Sequence, residues 1–522
     1  MNRKIVCYAF SLFVAAIFPA RETCAAAPAL VPPSAPAKPN IIFILADDLS
    51  YGDLSCFGQT NFATPHIDRL AAEGRIFANA YAGGPWCAPS RTSLLTGRNP
   101  AHAAPLKIAK GRGTRFNPTV AEMLKTAGYA TAAIGKWHMQ EGGESWFFNL
   151  KTRAEQRARE IPAEMPWHRG FDVCRIGYSF GLNPYFPHQL ETGDTTEIPL
   201  PENSGVDDDY MSKNYRLPAM YNAQGRFVDK LGNDASHLSY AEDLYRDEAM
   251  KFMEANRAHP FFLYYATPLV HGPMAVKELG EFANKPAPWT PPHKAWAAEV
   301  RELDKSVELI VGEIKKLGLE TNTIIFFAAD NGYSEWGYFG RTAWTDDPVF
   351  HNKGPWNRGK FINANGGVIV PFLAWSPGRI PPGKTERAVC FYDFMATAGE
   401  LAGAKLPGPT DGVSMVPLLA GRDAAQPLRP AVLWPVEGNY GIKIQDDFDP
   451  ADQTTKYLPP SVLLDERWYA LGFQKSPTAP LTIRIFDITT DPGCTNDLSA
   501  AQPALCQRAA TAFAGGTAKA SK

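Results

Sequence analysis

The sequence predicts an α/β protein with a large mixed, mostly parallel sheet, followed by a smaller C-terminal domain built on an antiparallel sheet. Three observations predict it. Two unbroken apolar runs, 41–46 (IIFILA) and 323–329 (TIIFFAA), lack the alternation of a half-exposed strand and read as central parallel strands covered on both faces. Segments with helix start and stop signals alternate with runs of this kind, the order of a wound α/β sheet. Beyond about Gly421 the pattern changes to short runs at 431–434, 468–473 and 481–488, separated by turns such as Asp491-Pro492-Gly493.

A chain of 522 residues exceeds what one hydrophobic core normally serves. Hydrophobic content of 45%, charged content of 20% and a net charge of −2 are ordinary globular values and give no case for nucleic acid or a membrane as partner. Arg3 and Lys4, an apolar run over 5–19 and small residues from Cys24 to Ala27 form the pattern of a cleaved secretory signal, so the chain is expected to be exported, periplasmic or secreted. The expected organisation is a signal over 1–26, a proline-rich linker over 27–38, a catalytic domain over 39–421, a C-terminal subdomain over 422–515 and a disordered tail over 516–522. Six cysteines remain after the signal, none at zinc spacing, and Cys494 and Cys506 stand near enough to staple the C-terminal region.

Asp47 and Asp48 follow the first apolar run. Ligands in open α/β sheets bind beyond the carboxyl ends of the strands, so adjacent carboxylates there point to a hard cation. Next comes CAPSRTSLLTGR, 87–98. Cys87 to Arg91 reads as a tight turn and Thr92 to Thr96 as the first turns of a helix closed by Gly97. A nucleophile at a helix N-terminus with Arg91 alongside makes an anion site. Thr119 and Glu122 form a capping box for a helix ending at Gly128, which feeds a strand over 129–134. Lys136 and His138 then fall on the same sheet edge as Asp47. The stretch 140–236 is irregular and rich in aromatics, Trp146, Trp167, Tyr178 and Tyr185 among them, and reads as pocket wall.

A second capping box, Ser239 with Glu242, starts a helix to about residue 255, followed by a strand over 261–266 and then His271. An amphipathic helix over 295–317 ends at Gly318 and delivers the run 323–329, with Asp330 and Asn331 at its end. Three carboxylates and an amide oxygen converging from two strands suit Ca²⁺ better than zinc, with Mg²⁺ as the alternative. A strand over 368–375 and a helix over 393–402 close the sheet.

The C-x-P-S-R pattern with its trailing T-G-R resembles the signature of the formylglycine-dependent sulfatases. DDLSYGDLSCFG, TPHIDRLAAEGRIF, GKWHM, RGFD (169–172), GPWNRGKFINANGGVIVP (354–371) and DGVSMVPLLAG extend the resemblance from about Pro39 to Ser499. It implies an alkaline-phosphatase-like sandwich. It also implies that a formylglycine-generating enzyme converts Cys87 to formylglycine, whose hydrate attacks a sulfate monoester of a carbohydrate or a phenol. Cys87, Arg91, His138, His271 and Asp330 are then catalytic, and Lys136, Lys360 and Ser179 bind substrate. Asp47, Asp48, Asp330, Asn331 and the modified Cys87 hold the cation. Asn365 stands where a Glu is usual and Ile369 where an Arg is usual, which replaces the ion pair that the resemblance implies behind Lys360 with neutral groups and leaves Lys353 as an outside alternative for the lysine role. Two rival functions share these residues: a phosphonate monoester or phosphodiester hydrolase, and an inactive binder of sulfated glycans.

Overall fold

The computed structural model describes residues 38–100, 102, 117–139, 166–176, 185–187, 238–272, 274, 276–334, 346–435, 460–473 and 480–517. Its strands are β1 (Asn40–Ala46), β2 (Arg75–Phe77), β3 (Ala80–Tyr81), β4 (Ala130–Gly135), β5 (Val173–Ile176), β6 (Tyr185–Pro187), β7 (Leu238–Tyr240), β8 (Phe261–Ala266), β9 (Thr323–Ala329), β10 (Phe372–Trp375), β11 (Gly383–Thr385), β12 (Val389–Cys390), β13 (Ala431–Trp434), β14 (Ser461–Leu464), β15 (Trp468–Phe473) and β16 (Thr482–Asp487). The main sheet runs β11-β2-β10-β9-β1-β8-β4-β5, parallel throughout except for the pairings of β10. The expected antiparallel sheet is β13-β14-β15-β16. Strand β14 carries no signal that separates it from a loop in the sequence.

Every residue of β1, β8 and β9 is buried, as unbroken apolar runs require. The helices are α1 (Pro65–Glu73), α2 (Cys87–Thr96), α3 (Val120–Thr126), α4 (Ala241–Ala255), α5 (Pro291–Lys316), α6 (Asn365–Val368), α7 (Asp393–Ala402), α8 (Val416–Leu419) and α9 (Pro503–Thr517). Two groups pack among them: α2, α3 and α7 touch one another, and α5 packs against both α1 and α4. Phe394 of α7 meets Phe43 of β1 edge-on at 4.7 Å between ring centres and Phe326 of β9 at 5.4 Å, which locks α7 onto the central strands.

Register sets the edge that matters. Strands β1 and β9 pair from Asn40↔Thr323 to Ala46↔Ala329, so Asp47 and Asp330 leave the sheet side by side, with Asp330 N–H donating to Ala46 C=O at 2.9 Å. Strands β4 and β8 end together at Gly135↔Ala266, and Lys136 N–H donates to Ala266 C=O at 2.7 Å. Gly135 has φ 98°, and a Cβ there would stand 2.1 Å from the Ala266 oxygen, so only glycine allows this exit.

Several expectations are corrected. Cys87 to Arg91 is not a turn ahead of a helix but the first turns of α2 itself, with Trp86 as the extended N-cap and Gly97 as the left-handed C-cap. The Thr119–Glu122 capping box forms with both bonds, whereas at α4 the N-cap is Tyr240, one residue after the expected Ser239, and the Glu242 side chain turns inward. Helix α5 begins at Pro291, where Thr290 caps and proline is favoured, four residues ahead of the expected start. The strand expected over 368–375 begins only at Phe372, and Val368 instead closes the helical turn 365–368. A Cβ on Gly367 would stand 2.0 Å from the Ile362 oxygen, so the twin glycines let this turn fold against its own loop.

Helix α9 was not expected, although Leu505, Ala509 and Phe513 recur at the helical period and pack on Val462, Ala470 and Ile485 of the small sheet. It runs to Thr517, two residues into the expected tail. Cys494 and Cys506 are free thiols: Cys494 is buried with Tyr469 and Trp434, while Cys506 lies in the first turn of α9 and points its thiol at the Ser499 carbonyl. The signal, the linker over 27–37 and Ser179 lie outside the described residues, as does most of the aromatic stretch. Of the four aromatics named there, only Trp167 has a described side chain, half-buried against the main core.

Candidate active site

Four neighbouring strands, β4, β8, β1 and β9, deliver Lys136 and His138, His271, Asp47 and Asp48, and Asp330 and Asn331 to one edge of the sheet. The N-terminus of α2 brings Cys87 and Arg91 to the same place, and the loop before α6 brings Lys360. Oxygens of Asp47, Asp48 and Asp330 and the Cys87 sulfur all lie within 4.8 Å of one another, and all four residues are buried. Asp48 at φ 59° and His138 at φ 53° occupy the left-handed region, where a non-glycine residue is held against an intrinsic cost of order 1–3 kcal/mol. Strain of this kind concentrates where surroundings over-determine a functional geometry.

Each carboxylate has a cationic neighbour. Arg91 is fully buried and donates from Nε at 3.0 Å and from a terminal nitrogen at 2.8 Å to Asp330, with Asp47 3.4 Å away. Lys136 pairs with Asp47 and donates to the Cys87 sulfur at 3.3 Å. Lys360 donates to both Asp48 oxygens at 2.5 and 2.7 Å. Three carboxylates and three cations thus share one buried site. Lys353, the outside alternative, instead donates to the Trp356 carbonyl at 2.6 Å.

Burial alone would raise the Asp48 carboxyl, but Lys360, His271 and Lys136 outweigh it and hold the group well below the usual carboxylate range. The balance tips the other way at Asp330, where burial and the Asp47 charge win over Arg91 and raise it. Burial pushes the Cys87 thiol up, and Asp330 and Asp47 push it further. His138 is pushed down by burial and by Lys136 and Arg91. His271 is pushed down by burial and Lys136, with Asp48 opposing; a bound anion would add to the opposition. Its Nδ1 lies 2.5 Å from the Gly272 carbonyl, which leaves Nε2 facing the site, 3.7 Å from Asp48.

The donor set fits a hard cation. The Asn331 amide nitrogen donates to Asp48 at 2.9 Å and to the Gly332 carbonyl at 3.1 Å, which turns its oxygen toward the Cys87 sulfur at 3.7 Å. With Asp47, Asp48 and Asp330 it makes an oxygen set from two strand ends, the chemistry of Ca²⁺ or Mg²⁺ rather than of a nitrogen- or sulfur-seeking metal.

Lys360 is held by contacts that no local pattern announces. Its N–H donates to the Tyr333 carbonyl at 2.7 Å, and the next residue, Phe361, donates to Pro85 at 2.7 Å. Asn365, at the position where the resemblance led to a Glu, accepts from Asn357 N–H at 2.9 Å and donates to the Pro492 carbonyl at 2.7 Å, while Asn357 donates to Gly493 at 3.0 Å. Ile369 is buried among apolar neighbours. The missing ion pair is therefore replaced by a neutral clamp onto the turn at 491–494.

Comparison with known proteins agrees with this geometry. The family model described as Sulfatase matches residues 39–404. Arylsulfatase A of Homo sapiens is 33% identical over 391 residues, covering 73% of this chain and 68% of the relative, and N-acetylgalactosamine-6-sulfatase of Sus scrofa is 30% identical over 422 residues, covering 76% and 68%. Among solved structures, Ps i-CgsB in complex with k-i-k-neocarrahexaose superposes with a TM-score of 0.63 at 26% identity, covering 90% of each chain. The buried cluster of carboxylates, arginine and cysteine on an alkaline-phosphatase-like sheet thus has a family to which the whole catalytic stretch conforms, and the chain belongs to the sulfatases, hydrolases of sulfuric esters.

Proposed function

We propose that this protein hydrolyses sulfate monoesters of a carbohydrate, using formylglycine formed from Cys87 and a bound Ca²⁺. The observation that carries the reading is Cys87 itself, buried at the N-terminus of α2 beside three carboxylates, with Lys136 donating to its sulfur. The carbohydrate preference is supported by N-acetylgalactosamine-6-sulfatase among the relatives and by the oligosaccharide in the Ps i-CgsB complex.

Asp47, Asp48, Asp330 and Asn331 would hold the cation, which when bound supplies positive charge against the sulfuryl oxygens and lowers the pKa of a hydroxyl beside it. The rest is the work of the chain's own side chains. Arg91, Lys136 and Lys360 offset the three carboxylates, so that with a divalent cation the site carries a charge of about +2 and draws in a sulfate anion. Lys136 and Lys360 bind sulfuryl oxygens. Asp330 takes a proton from one hydroxyl of the aldehyde hydrate as that hydroxyl attacks sulfur. His271, as an imidazolium with its Nδ1–H held by the Gly272 carbonyl, gives its Nε2 proton to the leaving alcohol and is left neutral. His138 then takes the proton of the second hydroxyl as sulfate departs and the aldehyde returns. Serine has no second hydroxyl to give, which is the reason for an aldehyde at this position.

The test is mass spectrometry of the peptide containing Cys87, from protein made alongside a formylglycine-generating enzyme, with sulfate release from sulfated saccharides measured on the same preparation. An aldehyde with turnover is expected, and Cys87→Ser is expected to lose turnover by about 10⁴-fold or more. An unmodified thiol in protein that still turns over would overturn the mechanism. Faster cleavage of phosphonate monoesters than of sulfates, measured as kcat/KM, would move the activity to the phosphorus esters.

A further inference from the structure

Glu242 does not cap its helix. It stands in the first turn of α4, 1% exposed, and its carboxylate collects three hydroxyl groups from two other elements. Tyr265 of β8 donates to Oε1 at 2.7 Å and Ser306 of α5 at 2.6 Å, while Thr267, just past β8, donates to Oε2 at 2.7 Å. Arg246, one turn further along α4, donates to the Ser306 hydroxyl at 2.9 Å and pairs with Glu302 at 2.8 Å. The Thr267 hydroxyl spends its proton on the carboxylate, which leaves its oxygen as an acceptor, and the Ser306 oxygen accepts from Arg246.

The Thr267 oxygen uses that capacity on the loop leading to the active site. It accepts from Leu269 N–H at 3.1 Å. Leu269 C=O accepts from Asp47 N–H at 2.8 Å, Val270 N–H donates to Asp47 C=O at 2.7 Å, and His271 N–H closes the turn on Pro268 at 2.9 Å. A buried charge, an ordered hydroxyl and a five-residue turn thus run without a gap from the α4–α5 packing to the backbone of His271 and of Asp47. Neither Glu242 nor Thr267 lies in the carboxylate–cysteine cluster.

We propose that Glu242 and Thr267 are positioning residues for His271: the carboxylate orients the Thr267 hydroxyl, and that hydroxyl fixes the turn that aims Nε2 at the leaving group. The proposal rests on the assignment of His271 as leaving-group acid. A misplacement of about 1 Å in such a group costs on the order of 10²-fold when proton donation is needed, and little when the leaving group departs unaided. Loss of the Thr267 hydroxyl is therefore selective by substrate, which loss of folded protein is not.

The experiment uses the full-length enzyme carrying formylglycine and a series of aryl sulfates whose phenols range from strongly to weakly acidic. For each variant the slope of log kcat/KM against phenol pKa is read; a reduced fraction of folded protein cancels within one variant. Thr267→Val, equal in size but without the hydroxyl, is expected to lose about tenfold or more on the least acidic phenol and under about threefold on the most acidic. Thr267→Ser is expected to restore the parent slope, and Glu242→Gln to fall between the two. His271→Ala is the reference for complete loss of the acid. If His271→Ala steepens the slope and Thr267→Val does not, the positioning role is overturned while the acid assignment stands. If His271→Ala leaves the slope as it was, the acid assignment fails and the positioning role with it.

Discussion

The two sides of the active site are built on different principles. On one side Asp47, Asp48, Asp330, Asn331 and Lys136 leave the ends of adjacent strands, and the register of β1 with β9 and of β4 with β8 places them. On the other side Lys360 sits in a loop, its ammonium on Asp48, while its backbone is held by a hydrogen bond to Tyr333 and its loop, through Asn357 and Asn365, by the turn at 491–494. The difference teaches where robustness comes from. A strand end inherits its position from a core of fully buried residues, whereas a loop residue inherits it from whichever distant groups complete its hydrogen bonds.

The largest expected effect lies on the strand side. Arg91→Ala leaves the Asp330 and Asp47 carboxylates buried beside a missing guanidinium, so a loss of about 3–5 kcal/mol is expected, read as a lower denaturation midpoint at unchanged slope. A loss under about 1 kcal/mol would mean that the carboxylates find other partners, and would weaken the claim that this side is rigid.

A divalent cation reports on the same side. At a concentration a hundred times its Kd, Ca²⁺ is expected to raise stability by about 2.7 kcal/mol and to lose this effect in Asp48→Asn. Asn365→Ala should leave the cation effect intact, since its contacts are to the loop and the 491–494 turn; a cation effect that vanished with Asn365 would merge the two sides into one unit. The same Asn365→Ala variant is expected to lose about 1–2 kcal/mol of stability and to raise KM for the sulfate ester more than it lowers kcat, because the clamp serves Lys360.

The smallest effect concerns the seam between the main sheet and the small one. Arg387 pairs bidentately with Glu466, at 2.8 and 2.9 Å, and the same carboxylate accepts from the Ala388 and Arg429 N–H groups. Burial would raise the Glu466 carboxyl, but the Arg387 hydrogen bonds and these backbone donors hold it below its ordinary value. Its stabilising contribution is thus present above the unfolded carboxyl pKa and disappears as pH falls through the lower folded value. Glu466→Gln is expected to cost about 1 kcal/mol at neutral pH, with the parent and variant melting curves converging below the usual carboxylate range. Parallel curves down to the most acid pH would show that the pair contributes nothing.

Legibility in the sequence follows the same division. The runs 41–46 and 323–329 could be only buried strands, so the acidic residues after them could be placed on one edge without a structure, and Cys87 with Arg91 followed from a helix N-terminus. Glu242 misled because Ser-x-x-Glu is a capping signal by local pattern, while the partners that won its carboxylate, Tyr265, Thr267 and Ser306, belong to β8, the segment after it, and α5. Asn365 read as a lost ion pair because its replacement partner, the Pro492 carbonyl, is main chain and has no residue-type signature. The C-terminal helix was legible in principle from Leu505, Ala509 and Phe513, but short glycine-rich and alanine-rich segments carry the helical period weakly.

The turn at 491–494 that clamps the Lys360 loop is synthesised long after Lys360 itself. A chain emerging from the ribosome therefore possesses the site's carboxylates, the strands that align them and Lys360 itself before it possesses the turn that completes the hydrogen bonds of the Lys360 loop.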